Sequence, residues 1–132
     1  MKTTITFADI AHREHTAKII PLGISMIAAY AYKHFKDQID VEIFKTADSF
    51  TQFVDKKIPK VACFTNYIWN ANLAYQTASR IKKRDSGTVT IFGGPNYSLH
   101  DPEEQKDFLI SRPNIDFYIA GEGEEPFVAL LK

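Results

Sequence analysis

The sequence predicts an α/β protein with a flavodoxin-like (Rossmann-like), doubly wound sheet of five parallel strands in three αβα layers. Three observations carry this. Short β-rich runs alternate with stretches of helical periodicity along the whole chain. No Asn-Gly type turn joins adjacent strands, so the connections are crossovers that bring each strand back parallel. The central run Lys-Val-Ala-Cys-Phe (60–64) is almost wholly apolar, as a strand covered on both faces must be.

The elements follow in order. Thr3 to Ala8 alternates in the β-rich manner and ends at Asp9. Pro21 opens a helix, because its fixed φ and missing N–H suit a first turn. Along it Ile24, Ile27, Ala28, Ala31 and Phe35 share one face. Val41 to Phe44 reads as the second strand, and Asp48 or Ser49 as the cap of a short helix burying Phe50, Phe53 and Val54. After the third strand at 60–64, Asn70 is placed to cap a long helix reaching Arg84. The basic last turn of that helix (Arg80, Lys82, Lys83, Arg84) suits the negative end of the helix dipole and reads as a solvated surface. Thr88 to Phe92 is the fourth strand, Pro102 to Ile110 a helix, Phe117 to Ala120 the fifth strand, and Glu124 begins a last helix.

Composition narrows the function classes. The 132 residues suffice for one domain, 1–132, with a single balance of 16 basic and 16 acidic side chains. That neutrality argues against a nucleic-acid binder, which carries a basic excess. With 45% hydrophobic and 24% charged residues the chain is globular rather than disordered. No apolar run reaches the length of a membrane span, and the start lacks a signal peptide, so a cytoplasmic location without membrane contact is expected. One cysteine, Cys63, cannot build a disulfide, a structural zinc site or an iron–sulfur site alone; inside a strand it reads as a small core residue.

Open parallel sheets bind ligands beyond the carboxyl ends of their strands. The loops there are Asp9 to Pro21, Thr65 to Asn70, Gly93 to Ser98 and Gly121 to Pro126. Glycines at two loop starts permit sharp turns or close approach of a ligand, and Tyr67, Trp69 and Tyr97 offer that rim a large contact surface. Packing of Tyr67 and Trp69 against the sheet edge is an equal alternative.

Several chemistries fall away. Gly121-Glu122-Gly123 opens like a dinucleotide fingerprint but runs into Pro126, and its carboxylates would repel a pyrophosphate. No Walker-type Gly-Lys-Ser/Thr occurs, and Thr65 stands where a receiver domain keeps its phospho-accepting aspartate. His12 and His15 with Asp9 and Glu14 lack fixed ligand spacing and read as a solvated loop. His34 suits a helix end, and His100 an exposed turn. No nucleophile–base–orienter set is present.

Taken together, Pro21-Leu22-Gly23, Phe64 through Asn70, Phe92-Gly93-Gly94-Pro95 and Asp116 through Glu124 resemble one family over essentially the whole chain. It is the N-terminal cobalamin (vitamin B12)-binding domain of the cobalamin-dependent radical SAM enzymes. The resemblance implies a cofactor-binding module that positions cobalamin for a following radical SAM domain, which performs methyl transfer or related radical chemistry. Matched by position, Thr65, Asn66 and Tyr67 would line the nucleotide tail and corrin edge. Gly93, Gly94 and Pro95 would form the turn where the tail passes closest to backbone, and Gly121, Glu122 and Gly123 the last loop beside it.

The Asp-x-His-x-x-Gly motif that supplies a lower axial histidine in related proteins is absent; Asp9-Ile10-Ala11-His12 has the wrong spacing, so no histidine lower ligand to cobalt is expected. The Cys-x-x-x-Cys-x-x-Cys motif is absent too, which places any 4Fe-4S cluster and S-adenosylmethionine in a missing domain of the same parent chain. The chain is therefore expected to bind without turning over, as a domain excised from a longer protein. A cofactor-free docking domain and a free-standing flavodoxin-like binder of a small ligand stay open beside it.

Overall fold

A computed structural model describes residues 1–11 and 21–132. Its strands are β1 (Thr3–Ala8), β2 (Ile39–Phe44), β3 (Val61–Thr65), β4 (Val89–Gly93) and β5 (Phe117–Ile119). Its helices are α1 (Leu22–Phe35), α2 (Ala47–Lys56), α3 (Ala71–Arg84), α4 (Pro102–Ile110) and α5 (Glu124–Leu131). The strands form one sheet in the order β2-β1-β3-β4-β5, every neighbouring pair parallel. This is the flavodoxin-like order, and the chain switches direction across the sheet between β1 and β3.

Strand alternation sends successive side chains to two separate cores. On one face Ile5, Phe7, Val61, Cys63 and Ile91 pack against Ile24, Ala28 and Ala31 of α1 and Phe127 and Val128 of α5. On the other, Ala8, Ala62, Phe64 and Phe92 pack against Phe50 and Val54 of α2 and Ala74, Ala78 and Ile81 of α3. The sheet thus lies between two helical layers, as the apolar run of β3 requires.

Local capping departs from the sequence reading in two places. Thr46, not Asp48 or Ser49, caps α2: its Oγ1 accepts from Ser49 N–H at 3.2 Å while Ser49 Oγ donates to Thr46 O at 3.1 Å. Thr46 is still extended, as a cap must be, whereas Asp48 and Ser49 are already in the first turn. Asn70 occupies the cap position of α3 but makes no capping bond; its side chain is committed elsewhere, as described below. At α4 Asp101 accepts from Glu103 and Glu104 N–H ahead of Pro102, the arrangement that Pro at the first helical position favours. β2 begins at Ile39, earlier than Val41, because Ile39 pairs with Thr3 even though half-buried Asp40 interrupts the apolar run. No described helix is long and apolar enough to cross a membrane.

Candidate functional site

A cavity of about 590 Å³ opens at the carboxyl ends of the strands, between the sheet and helices α1 and α5. Its floor is apolar: Phe7, Cys63 and Ile91 rise from the sheet, Ile24 and Ile27 from α1, and Phe127 from α5. Asp9, Thr65 and Gly93 follow Phe7, Cys63 and Ile91 at two-residue spacing, so the face that is large and apolar lower down ends in small or polar groups. That step creates the space. The volume falls within the range of small-molecule pockets.

The glycines there have different reasons. Gly94 has φ +127°, and a Cβ on it would stand 2.6 Å from Asn66 O, so the fold itself demands glycine. Of the two reasons the sequence offers for glycine here, a sharp turn and close approach of a ligand, the backbone contact supplies the first. Gly93 meets only Ile119 O at 3.4 Å, an ordinary contact, so the fold leaves room for a Cβ there. Its lack of one keeps the cavity open beside the sheet. A Cβ on Gly123 would come within 2.7 Å of Ile27 Cδ1, which marks the close approach of α5 to α1.

Most of the motif residues converge on this cavity. Thr65 and Tyr67 line it from the β3 loop, Gly93 and Gly94 from the end of β4. Gly121, Glu122 and Gly123 line it from the turn before α5. Asn66 and Pro95 do not. Strand alternation turns Asn66 to the opposite face, where it is buried: Nδ2 donates to Asn96 O at 3.0 Å and to Tyr118 Oη at 3.2 Å. Tyr118 Oη in turn donates to Gly94 O at 2.8 Å. Tyr97 also leaves the rim, stacking on Tyr118 with centroids 3.9 Å apart. Tyr67 and Trp69 stay at the mouth, stacked on each other at 4.6 Å and lining the cavity.

The sequence reading missed the polar cluster on the cavity wall. Parallel pairing of Ala8 with Phe44 continues as Asp9 N–H to Phe44 O, and so sets Asp9 beside Lys45. Lys45 Nζ bonds Asp9 Oδ2 at 3.0 Å, and Thr65 Oγ1 donates to Asp9 Oδ1 at 2.8 Å. Glu122 and Glu124 also line the cavity. Cys63 is buried at the floor, and burial pushes its thiol far above the ordinary thiol range, so it stays protonated and unreactive. Among the described residues no three His, Cys, Asp or Glu side chains cluster to hold a metal ion. His34 Nδ1 donates to Tyr30 O within α1, whereas His12 and His15 lie outside the described residues.

The profile of the B12 binding domain family matches residues 10–131. The chain belongs to that family. No curated protein matches this B12-binding domain significantly. Among solved structures it is similar to a cobalamin-binding protein from Desulfitobacterium hafniense DCB-2, at TM-score 0.67 and 12% identity, covering 98% of this chain and 58% of that one. It is similar also to a CheY-like response regulator receiver domain from Methanospirillum hungatei JF-1, at TM-score 0.66 and 15% identity, covering 99% of this chain and 91% of that one. At such identities these two likenesses speak for the fold. The family match assigns the cobalamin class of ligand to the B12-binding domain, and its cavity fits a cofactor tail: apolar below, open beside Gly93, polar at the mouth.

Proposed function

We propose that this B12-binding domain holds cobalamin with its nucleotide tail in the α1–α5 cavity and its corrin over the mouth, and presents it to a following radical SAM domain. The observation that carries the reading is convergence: the loops that resemble the radical SAM family's cobalamin domain surround the apolar cavity at the strand ends. Phe7, Ile91 and Phe127 would exclude water from the tail, Gly93 would let it lie against the strand, and the Tyr67–Trp69 stack would flank the corrin edge. Bound cobalamin supplies the reactive cobalt for methyl transfer or related radical chemistry; the protein supplies position and shelter. Cys63, single and buried, leaves the iron–sulfur cluster and S-adenosylmethionine to the other domain.

Titration of the chain with hydroxocobalamin, followed by its visible spectrum and binding heat, tests the first half. Saturable one-to-one binding supports it; no binding, by this chain or by any longer form of the protein, removes it. The second half predicts that the coding sequence continues past Lys132 into a domain carrying Cys-x-x-x-Cys-x-x-Cys. A continuation without that motif would leave a cobalamin carrier for some other partner.

A further inference from the structure

The hydrogen-bond network behind Thr65 fixes which way its hydroxyl faces. Asn70 is buried, and its amide has no freedom of orientation: Oδ1 must accept from Tyr67 N–H at 2.8 Å, and Nδ2 must donate to Ile10 O at 3.0 Å. The same Nδ2 also donates to Thr65 Oγ1 at 3.1 Å. On its other side Thr65 Oγ1 lies 2.8 Å from Asp9 Oδ1, whose second oxygen takes the Lys45 ammonium at 3.0 Å. A carboxylate can only accept, so the single proton of Thr65 points to Asp9. One lone pair is already taken by Asn70. Among the described residues, Thr65 Oγ1, on a residue that lines the cavity, keeps one lone pair, which takes a donor and has nothing to give an acceptor.

We propose that the cavity selects the ligand tail by hydrogen-bond polarity at Thr65, favouring a base that donates there over one that presents only an acceptor nitrogen. Asp9 and Asn70 are the positioning residues that set this polarity, and Lys45 holds Asp9 in place. The inference rests on the proposed tail site. Among corrinoid tails, an adenine carries an exocyclic amine that donates, the dimethylbenzimidazole of cobalamin carries an acceptor nitrogen when detached from cobalt, and a phenolyl tail does neither.

The test measures dissociation constants of adeninyl, benzimidazolyl and phenolyl corrinoids for the wild type, Thr65→Val, Thr65→Ser and Asp9→Ala. Affinities are compared as ratios between two ligands on one protein, and then between proteins. Differences among the free corrinoids, and any general loosening of a variant, cancel in that double ratio. The adeninyl-to-phenolyl preference should fall about tenfold in Thr65→Val, the effect of one lost hydrogen bond, and return in Thr65→Ser. Asp9→Ala frees the hydroxyl proton, so the benzimidazolyl-to-phenolyl preference should rise by a similar factor. Double ratios near one in both variants would overturn the polarity rule while leaving cobalamin binding intact. Failure of every corrinoid to bind would instead remove the tail site, and the rule with it.

Discussion

Gly94 and Asn66 meet backbone to backbone: a Cβ on Gly94 would lie 2.6 Å from the Asn66 carbonyl oxygen and 3.0 Å from its amide nitrogen. Two loops from neighbouring strands close on each other at that point, and Asn66 N–H donates to Gly93 O at 2.7 Å. The contact belongs to the scaffold of the cavity and not to its content. Gly94→Ala should therefore destabilise the protein by roughly 2 kcal/mol or more, from a strained φ and a backbone clash together. Urea unfolding of the ligand-free chain checks it, and an unchanged midpoint would contradict the geometry.

Gly93 predicts the opposite split. Its Cβ would find only Ile119 O at 3.4 Å, and its strand conformation suits any residue. Gly93→Val should leave unfolding nearly unchanged yet weaken hydroxocobalamin binding by at least about tenfold, because the added methyls occupy the space beside the sheet. A titration of the variant beside a melting curve separates the two effects.

Thr6 offers a stabilising change. It is fully buried in β1, and its Oγ1 has no hydrogen-bond partner among the described residues. Thr6→Val keeps the branched shape that a strand prefers and removes the cost of burying an unsatisfied hydroxyl. Stability should rise by about 1 kcal/mol, read as a higher denaturation midpoint at an unchanged urea slope.

Tyr118 should make the protein sensitive to alkali. Burial pushes its phenol up to about 12, partly opposed by the Asn66 donor and reinforced by Tyr97, against an ordinary 10.0. Between those values the unfolded chain has released the proton and the folded chain still holds it. Stability is therefore fully present below pH 10 and falls as pH rises toward 12. Tyr118→Phe should lose about 1 kcal/mol at neutral pH with its bond to Gly94 O, yet show a shallower decline over that alkaline window. Denaturation midpoints of both proteins at stepped pH values check the sign.

The sheet was legible because β-rich runs and helical faces leave local marks, and the glycine loops because backbone constraints do. The site was legible in part. Asn66 neighbours Thr65 in sequence, but one step along a strand reverses the face, and so Asn66 braces the far side while Thr65 lines the cavity. Asp9 and Lys45 stand 36 residues apart and meet only through the β1–β2 pairing, which no local pattern announces. The cap of α2 was displaced for a simpler reason: Thr46, Asp48 and Ser49 are all able cappers, and only the backbone shows which one is still extended.

The two sides of the sheet are finished to different degrees. Phe64 and Phe92 also border the cavity, but their rings pack with Phe50 in the α2–α3 core, whereas Phe7, Ile24, Cys63, Ile91 and Phe127 belong at once to the α1–α5 core and to the cavity floor. A ligand seated there would add an apolar cover to that core. Without it, amide hydrogens of α1 and α5 should exchange with solvent earlier than those of α2 and α3; with it, the two halves should open together. The cofactor would then set whether the molecule breathes as two units or as one.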